Sequence, residues 1–154
     1  MNLNEFNSLI DLYFYQANKQ NSQNDFLEWL NPKNKKKFNW GETSSSIYKL
    51  AKKLKENIKD GDRCLLVSEN RPEWLISDIA IMLAGGITVP AYTTYIEKDY
   101  KYLIEDCEPS IIIVSSEEMH DKLKNIIKEK AFIRKVITFE KIKNIDYKNK
   151  YLNF

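Results

Sequence analysis

Beyond Gly61 the chain carries four short β-prone apolar cores at nearly equal spacing: Cys64–Val67, Ile87–Pro90, Ile111–Val114 and Val136–Phe139. Their starts lie 23, 24 and 25 residues apart. A two-residue hairpin cannot use such gaps, whereas a crossover helix between parallel strands needs about a dozen residues or more. The run Ile111-Ile112-Ile113-Val114 is apolar at every position, as a parallel strand must be when helices cover both of its faces. The fold class expected is therefore α/β, with a mostly parallel sheet, flanking helices and right-handed crossovers.

The intervening segments support helices. Asn70 with Glu73 three residues later resembles a capping box, and Pro72 sits where a missing amide hydrogen costs nothing. Trp74, Leu75, Ile76, Ile79, Ala80 and Leu83 supply an apolar face, and Gly85-Gly86 ends it. A second helix is expected from about Thr94, with Tyr100, Leu103 and Ile104 inward, stopping before Pro109. A third is expected after Ser115, with Glu118 in the reciprocal capping place and Met119, Leu123, Ile126 and Ile127 inward.

The first 60 residues read differently. Phe6, Leu9, Ile10, Tyr13, Phe14 and Ala17 recur at helical steps, a stripe that packs on its own domain or lies on a surface. Residues 26–30 and 36–40 bracket Asn31-Pro32-Lys33-Asn34 as a hairpin. The lysines 35–37 read as a solvated turn, since no second basic patch joins them. A second helix follows, capped by Asn39 with Glu42 and ending near Asp60-Gly61. Its inward residues are Ile47, Leu50, Ala51, Leu54 and Ile58, and the serines 44–46 form its exposed first turn. The organisation expected is an opening unit over 1–60, the strand–helix repeat of the same incomplete domain over 61–140, and a lysine- and asparagine-rich tail over 141–154. That tail has no clear period; it either packs as coil or awaits a covering surface.

Charge and residue counts exclude several functions. The 24 basic and 22 acidic residues leave a formal charge of +2, too small a field for nucleic acid. Two cysteines do not make a disulfide scaffold, and a reducing, cytoplasmic setting is expected. No apolar run reaches the roughly 18 residues a membrane span needs. With His120 the one histidine, a histidine metal cluster is impossible; Glu117, Glu118, His120 and Asp121 read as a solvated helix start. Cys64 reads as core and Cys107 as a helix end, neither as a nucleophile. Neither GxGxxG nor GxxxxGK[ST] occurs. Two segments at the carboxyl ends of expected strands remain as candidate site walls: Ser68-Glu69-Asn70-Arg71-Pro72-Glu73-Trp74 and Pro90-Ala91-Tyr92-Thr93-Thr94-Tyr95. Their structural reading is an Asn cap, a surface Glu–Arg pair and packed aromatic rings.

These segments, in this order, carry a resemblance. Gly61-Asp62-Arg63, Ser68 to Trp74, Ala84-Gly85-Gly86 to Thr94, Tyr102 to Cys107 and Ile111 to Val114 together resemble the start of the AMP-forming acyl-CoA synthetases. The resemblance is greatest to the long-chain fatty acid type of these adenylate-forming ligases and covers roughly residues 5–140. It implies a partial N-terminal domain with an N-terminal hairpin. Complete family members join an acid to ATP, release pyrophosphate and pass the acyl group to coenzyme A, with magnesium. Their phosphate loop and later catalytic motifs are not among these residues, so the resemblance carries over no catalytic, cofactor-binding or metal residue. It implies a structural portion, inactive alone, whose partners are the remainder of the ligase or a second copy. Peripheral membrane contact stays open. Two other readings remain: a noncatalytic assembly module, and an independent small-ligand-binding α/β protein.

Overall fold

The computed structural model describes residues 6–31, 35–143 and 150–154. Among these, five parallel strands form one sheet: β3 (Arg63–Val67), β4 (Ile87–Ala91), β5 (Ile111–Val114), β6 (Lys135–Thr138) and β7 (Tyr151–Asn153). They follow a hairpin made of β1 (Asp25–Trp29) and β2 (Lys36–Asn39), which pair antiparallel. The hairpin turn at 32–34 and the tail residues 144–149 lie outside the described residues.

The sheet order is β4-β3-β5-β6-β7. Registers are parallel throughout, with Cys64 opposite both Thr88 and Ile111, and Ile112 opposite Val136. The chain steps one way from β3 to β4 and then back past β3 to β5. Right-handed crossovers in opposite directions put their helices on opposite faces. Thus α3 (Pro72–Leu83) covers one face and α4 (Glu97–Cys107) the other, joined there by α5 (Glu117–Glu129).

Residue alternation divides the core between the two faces. Cys64, Leu66, Ile111, Ile113 and Ile137 meet α3 and α2 (Trp40–Lys55). Leu65, Val67, Ile112, Val114 and Val136 meet Tyr100 and Ile104 of α4 and Met119, Leu123, Ile126 and Ile127 of α5. All four residues of β5 are fully buried, the signature of a strand covered on both sides. The opening helix α1 (Leu9–Lys19) lays Ile10, Tyr13 and Phe14 on the α2–α3 side. Leu9 of its expected inward stripe points outward, 68% exposed, because the helix begins only there, after the Ser8 cap.

Several ends fall elsewhere than the sequence suggests. The Asn39–Glu42 capping box forms, but α2 stops at Lys55; the chain then turns, so Ile58 reaches the core from outside the helix. Arg71, not Asn70, is the N-cap of α3, and it supplies no side-chain cap because its guanidinium is engaged elsewhere. Helix α4 starts at Glu97 rather than near Thr94, where Asp99 accepts from the Ile96 amide at 3.2 Å. Helix α5 is capped by Ser116, since the Ser115 amide still continues the strand ladder to Val67. That shift moves Met119 into the third helical position and removes Glu118 from a reciprocal capping role.

Gly85 has φ +86°, and a Cβ there would lie 2.5 Å from Asp60 Oδ1, so the α3–β4 turn needs this glycine. Pro90 lies inside β4, opposite Leu66, and is tolerated because β4 is an edge strand.

The tail departs most from expectation. Tyr151–Asn153 pairs with Val136–Thr138 as the fifth strand, at the edge of the sheet, rather than packing as coil. His120, expected in a solvated helix start, is 4% exposed beneath it. Its Nε2 and the Tyr151 hydroxyl lie 2.7 Å apart. Burial lowers the His120 pKa, while the Asp121 carboxylate, 3.6 Å from Nδ1, opposes that shift. A histidine with a depressed folded pKa stabilises the fold above its unfolded value and loses that contribution as pH falls below it. Tyr151→Phe should cost about 1–2 kcal/mol and raise amide exchange selectively at β7, as measured by hydrogen–deuterium exchange.

Candidate functional site

Both candidate segments come together at the carboxyl edge of the sheet. Ser68, Glu69 and Asn70 leave β3, Tyr92 and Thr93 leave β4, and with Trp74, Pro90 and Ala91 they line a cleft of about 560 Å³. Adjacent parallel strands β3 and β4 deliver the two loops side by side, and this edge is where open α/β sheets hold ligands. Asn70, Glu69 and Tyr92 are exposed, whereas Ser68 is buried and donates to the Glu69 carbonyl at 2.9 Å.

The 92–95 turn is held from below. The Tyr100 hydroxyl donates to the Tyr92 carbonyl at 2.7 Å, and Lys122 Nζ donates to the Thr93 carbonyl at 2.7 Å. Burial pushes the Tyr100 phenol up to about 12, so it remains a donor at neutral pH. Tyr95 makes edge contacts with Tyr92 and Tyr100 at centroid distances of 5.5 and 5.7 Å.

Beside the cleft, the Glu–Arg pair is buried rather than superficial. Arg71 and Glu73 side chains are 6% and 3% exposed. Arg71 Nε donates to Glu73 Oε2 at 2.9 Å, and Nη1 donates to Glu140 Oε1 at 2.9 Å. Its guanidinium lies 4.3 Å from the Trp29 ring centroid and 5.4 Å from that of Phe139. Lys36 Nζ reaches Glu73 Oε1 at 2.7 Å. One side chain thereby ties the hairpin, the start of α3 and the end of β6. Burial alone would push the Glu73 carboxyl up; the hydrogen bonds from Arg71 and Lys36 outweigh it and hold the pKa below the usual range. Sequence reading missed Lys36 and Glu140 here, because they lie 37 and 69 residues from Glu73 and Arg71 and share no local spacing with them.

The other singled-out residues stand apart. Cys64 is buried in β3, and burial pushes its thiol up to about 12, away from nucleophile chemistry. Burial also raises the Cys107 thiol. Lys36 and Lys37 of the lysine run pair with Glu73 and Asp25. Ser44 exchanges a hydrogen bond with the Tyr13 hydroxyl at 3.1 Å, fixing α1 on α2. Among the described residues no three His, Cys, Asp or Glu side chains converge as a metal site, and no helix is long and apolar enough to cross a membrane.

The charged side chain lining this cleft is the Glu69 carboxylate; Arg71 is engaged with Glu73 and Glu140, and Lys122 with the Thr93 carbonyl.

The AMP-binding enzyme family pattern matches residues 14–150. The chain belongs to the AMP-binding enzyme family. Rat long-chain-fatty-acid–CoA ligase ACSBG1 is 27% identical over 112 residues, covering 69% of this chain and 16% of the relative. The anthranilate CoA ligase AuaEII, solved with anthranoyl-AMP, superposes with a TM-score of 0.81 at 17% identity over 96% of this chain and 28% of its own. Coronafacic acid ligase from Pectobacterium brasiliense superposes at 0.79 with 22% identity, over 92% of this chain and 27% of its own. The chain thus corresponds to an N-terminal portion of an AMP-forming acyl-CoA synthetase and spans less than a third of the solved ligases it resembles.

Proposed function

We propose that this chain is the scaffold portion of a long-chain fatty acid–CoA ligase and performs no adenylation by itself. The observation that carries the reading is the family match over residues 14–150 on a layered α/β scaffold that spans 28% of a solved ligase and whose cleft is lined by one charged group, the Glu69 carboxylate. The likeness to the rat fatty acid ligase supports the acyl class. ATP, magnesium and coenzyme A belong to the complete ligase, and residues outside this chain supply their contacts. The chain's own part is mechanical: β3, β4 and β5 hold the loops at 68–70 and 92–93 in fixed register, and the Arg71 cluster locks the hairpin against them. A cytoplasmic setting fits the two free thiols, Cys64 and Cys107.

Acyl-dependent ATP–pyrophosphate exchange tests this. The purified chain alone should give no exchange above a blank with any fatty acid. Supplying the remaining portion of a ligase in trans should restore exchange, with long-chain acids favoured over acetate. Turnover by the chain alone, abolished by a substitution within it, would overturn the reading.

A further inference from the structure

We propose that the cleft between Glu69, Trp74 and Tyr92 is a receptor for a cationic side chain, an arginine or lysine presented by a polypeptide. Three observations converge. The first is uncompensated charge. Arg71 and Lys36, beside the cleft, are engaged with Glu73 and Glu140. Lys122 donates to the carbonyl of the cleft residue Thr93 and lies 3.9 Å from Glu118. Among the described residues no cation pairs with Glu69.

The second is the wall chemistry. Trp74 and Tyr92 line the same cleft as Glu69, with Asn70 and Thr93 as neutral polar groups. A cation over an indole or phenol face gains from the ring quadrupole, and a nearby carboxylate adds to it. An anion would meet the Glu69 charge instead. The third is rigidity. Tyr92 is 72% exposed, yet its carbonyl is held by Tyr100 and that of Thr93 by Lys122, and its ring makes an edge contact with Tyr95 at 5.5 Å, so the backbone that carries the ring needs no ordering on binding.

The cleft's volume exceeds what one guanidinium fills, which suits a side chain that enters while its backbone stays outside. The proposal rests on the ligase reading only for the source of that side chain. Relatives several times longer than this chain provide polypeptide to cover its open edges.

The test uses this chain alone and no ligase activity, so its outcome is separable from that of pyrophosphate exchange. Acetyl-Gly-Arg-Gly-amide is titrated while the Trp74 indole and the 92–93 amide resonances are followed, with Trp74 assigned through Trp74→Phe. Saturable shifts confined to these groups are expected. The citrulline peptide, isosteric and neutral, should bind roughly 5–10-fold more weakly, and Glu69→Gln should weaken the arginine peptide by a similar factor. Equal binding of both peptides, shifts spread over other faces, or no shift at Trp74 would overturn the proposal. Tighter binding of tetramethylammonium than of the arginine peptide would also overturn it, in favour of a small-cation site.

Discussion

Ile112→Ala and Ile113→Ala should each cost about 3–4 kcal/mol, with no alternation between them. In a sheet covered on one face, one of two successive strand residues points to solvent and its truncation is nearly silent. Here Ile112 packs with Tyr100, Leu123 and Val136 on one side, and Ile113 with Ile47, Ile76 and Ile137 on the other. Both are 0% exposed. Each truncation leaves a void walled by strands and a helix layer that close only partly. Urea denaturation of the two variants measures this. A large cost at one position and a cost below roughly 1 kcal/mol at the other would contradict the three-layer arrangement.

Arg71→Ala should be about as costly, roughly 3–4 kcal/mol, because it strands the buried Glu73 carboxylate with Lys36 as its remaining partner and removes the contacts to Trp29 and Phe139. The pH dependence carries a second signature. Glu73 has a folded pKa below its unfolded one, so its contribution is present above the unfolded value and is lost as pH falls through the folded one. The native chain should therefore lose stability on acidification below about pH 4.5. In Arg71→Ala much of that contribution is already missing at neutral pH, and the acid limb of the stability curve should flatten. Denaturation midpoints from pH 7 to pH 3 in both proteins read the difference. An unchanged acid limb would mean that Arg71 acts through packing alone.

Strands β3 and β5 were legible because burial on both faces leaves the unbroken apolar runs Cys64–Val67 and Ile111–Val114, and the nearly equal spacing of the cores implied crossovers to β4 and β6. The Asn39–Glu42 box was legible because both partners sit within one helical turn. Strand β7 was not. Its three residues carry no period, and they become a strand only because the free edge of β6 supplies register. His120 was misread for the same reason: its cover, Tyr151, lies 31 residues away. The cleft was half legible. The two loops at strand ends were identifiable, but their apposition depends on β3 and β4 being neighbours. The buried state of Arg71 depends on partners from the hairpin and β6 that no local pattern announces.

The central claim is that this chain builds a scaffold whose phosphate chemistry must come from other residues. Titrating the chain with ATP and magnesium while following backbone amides at 68–70 and 92–93 tests it most directly. No saturable shift at nucleotide concentrations up to about 1 mM is expected, since an interaction weaker than about −4 kcal/mol stays unsaturated there. A localised, saturating response in the micromolar range would show a nucleotide site formed by this chain alone and would contradict the account.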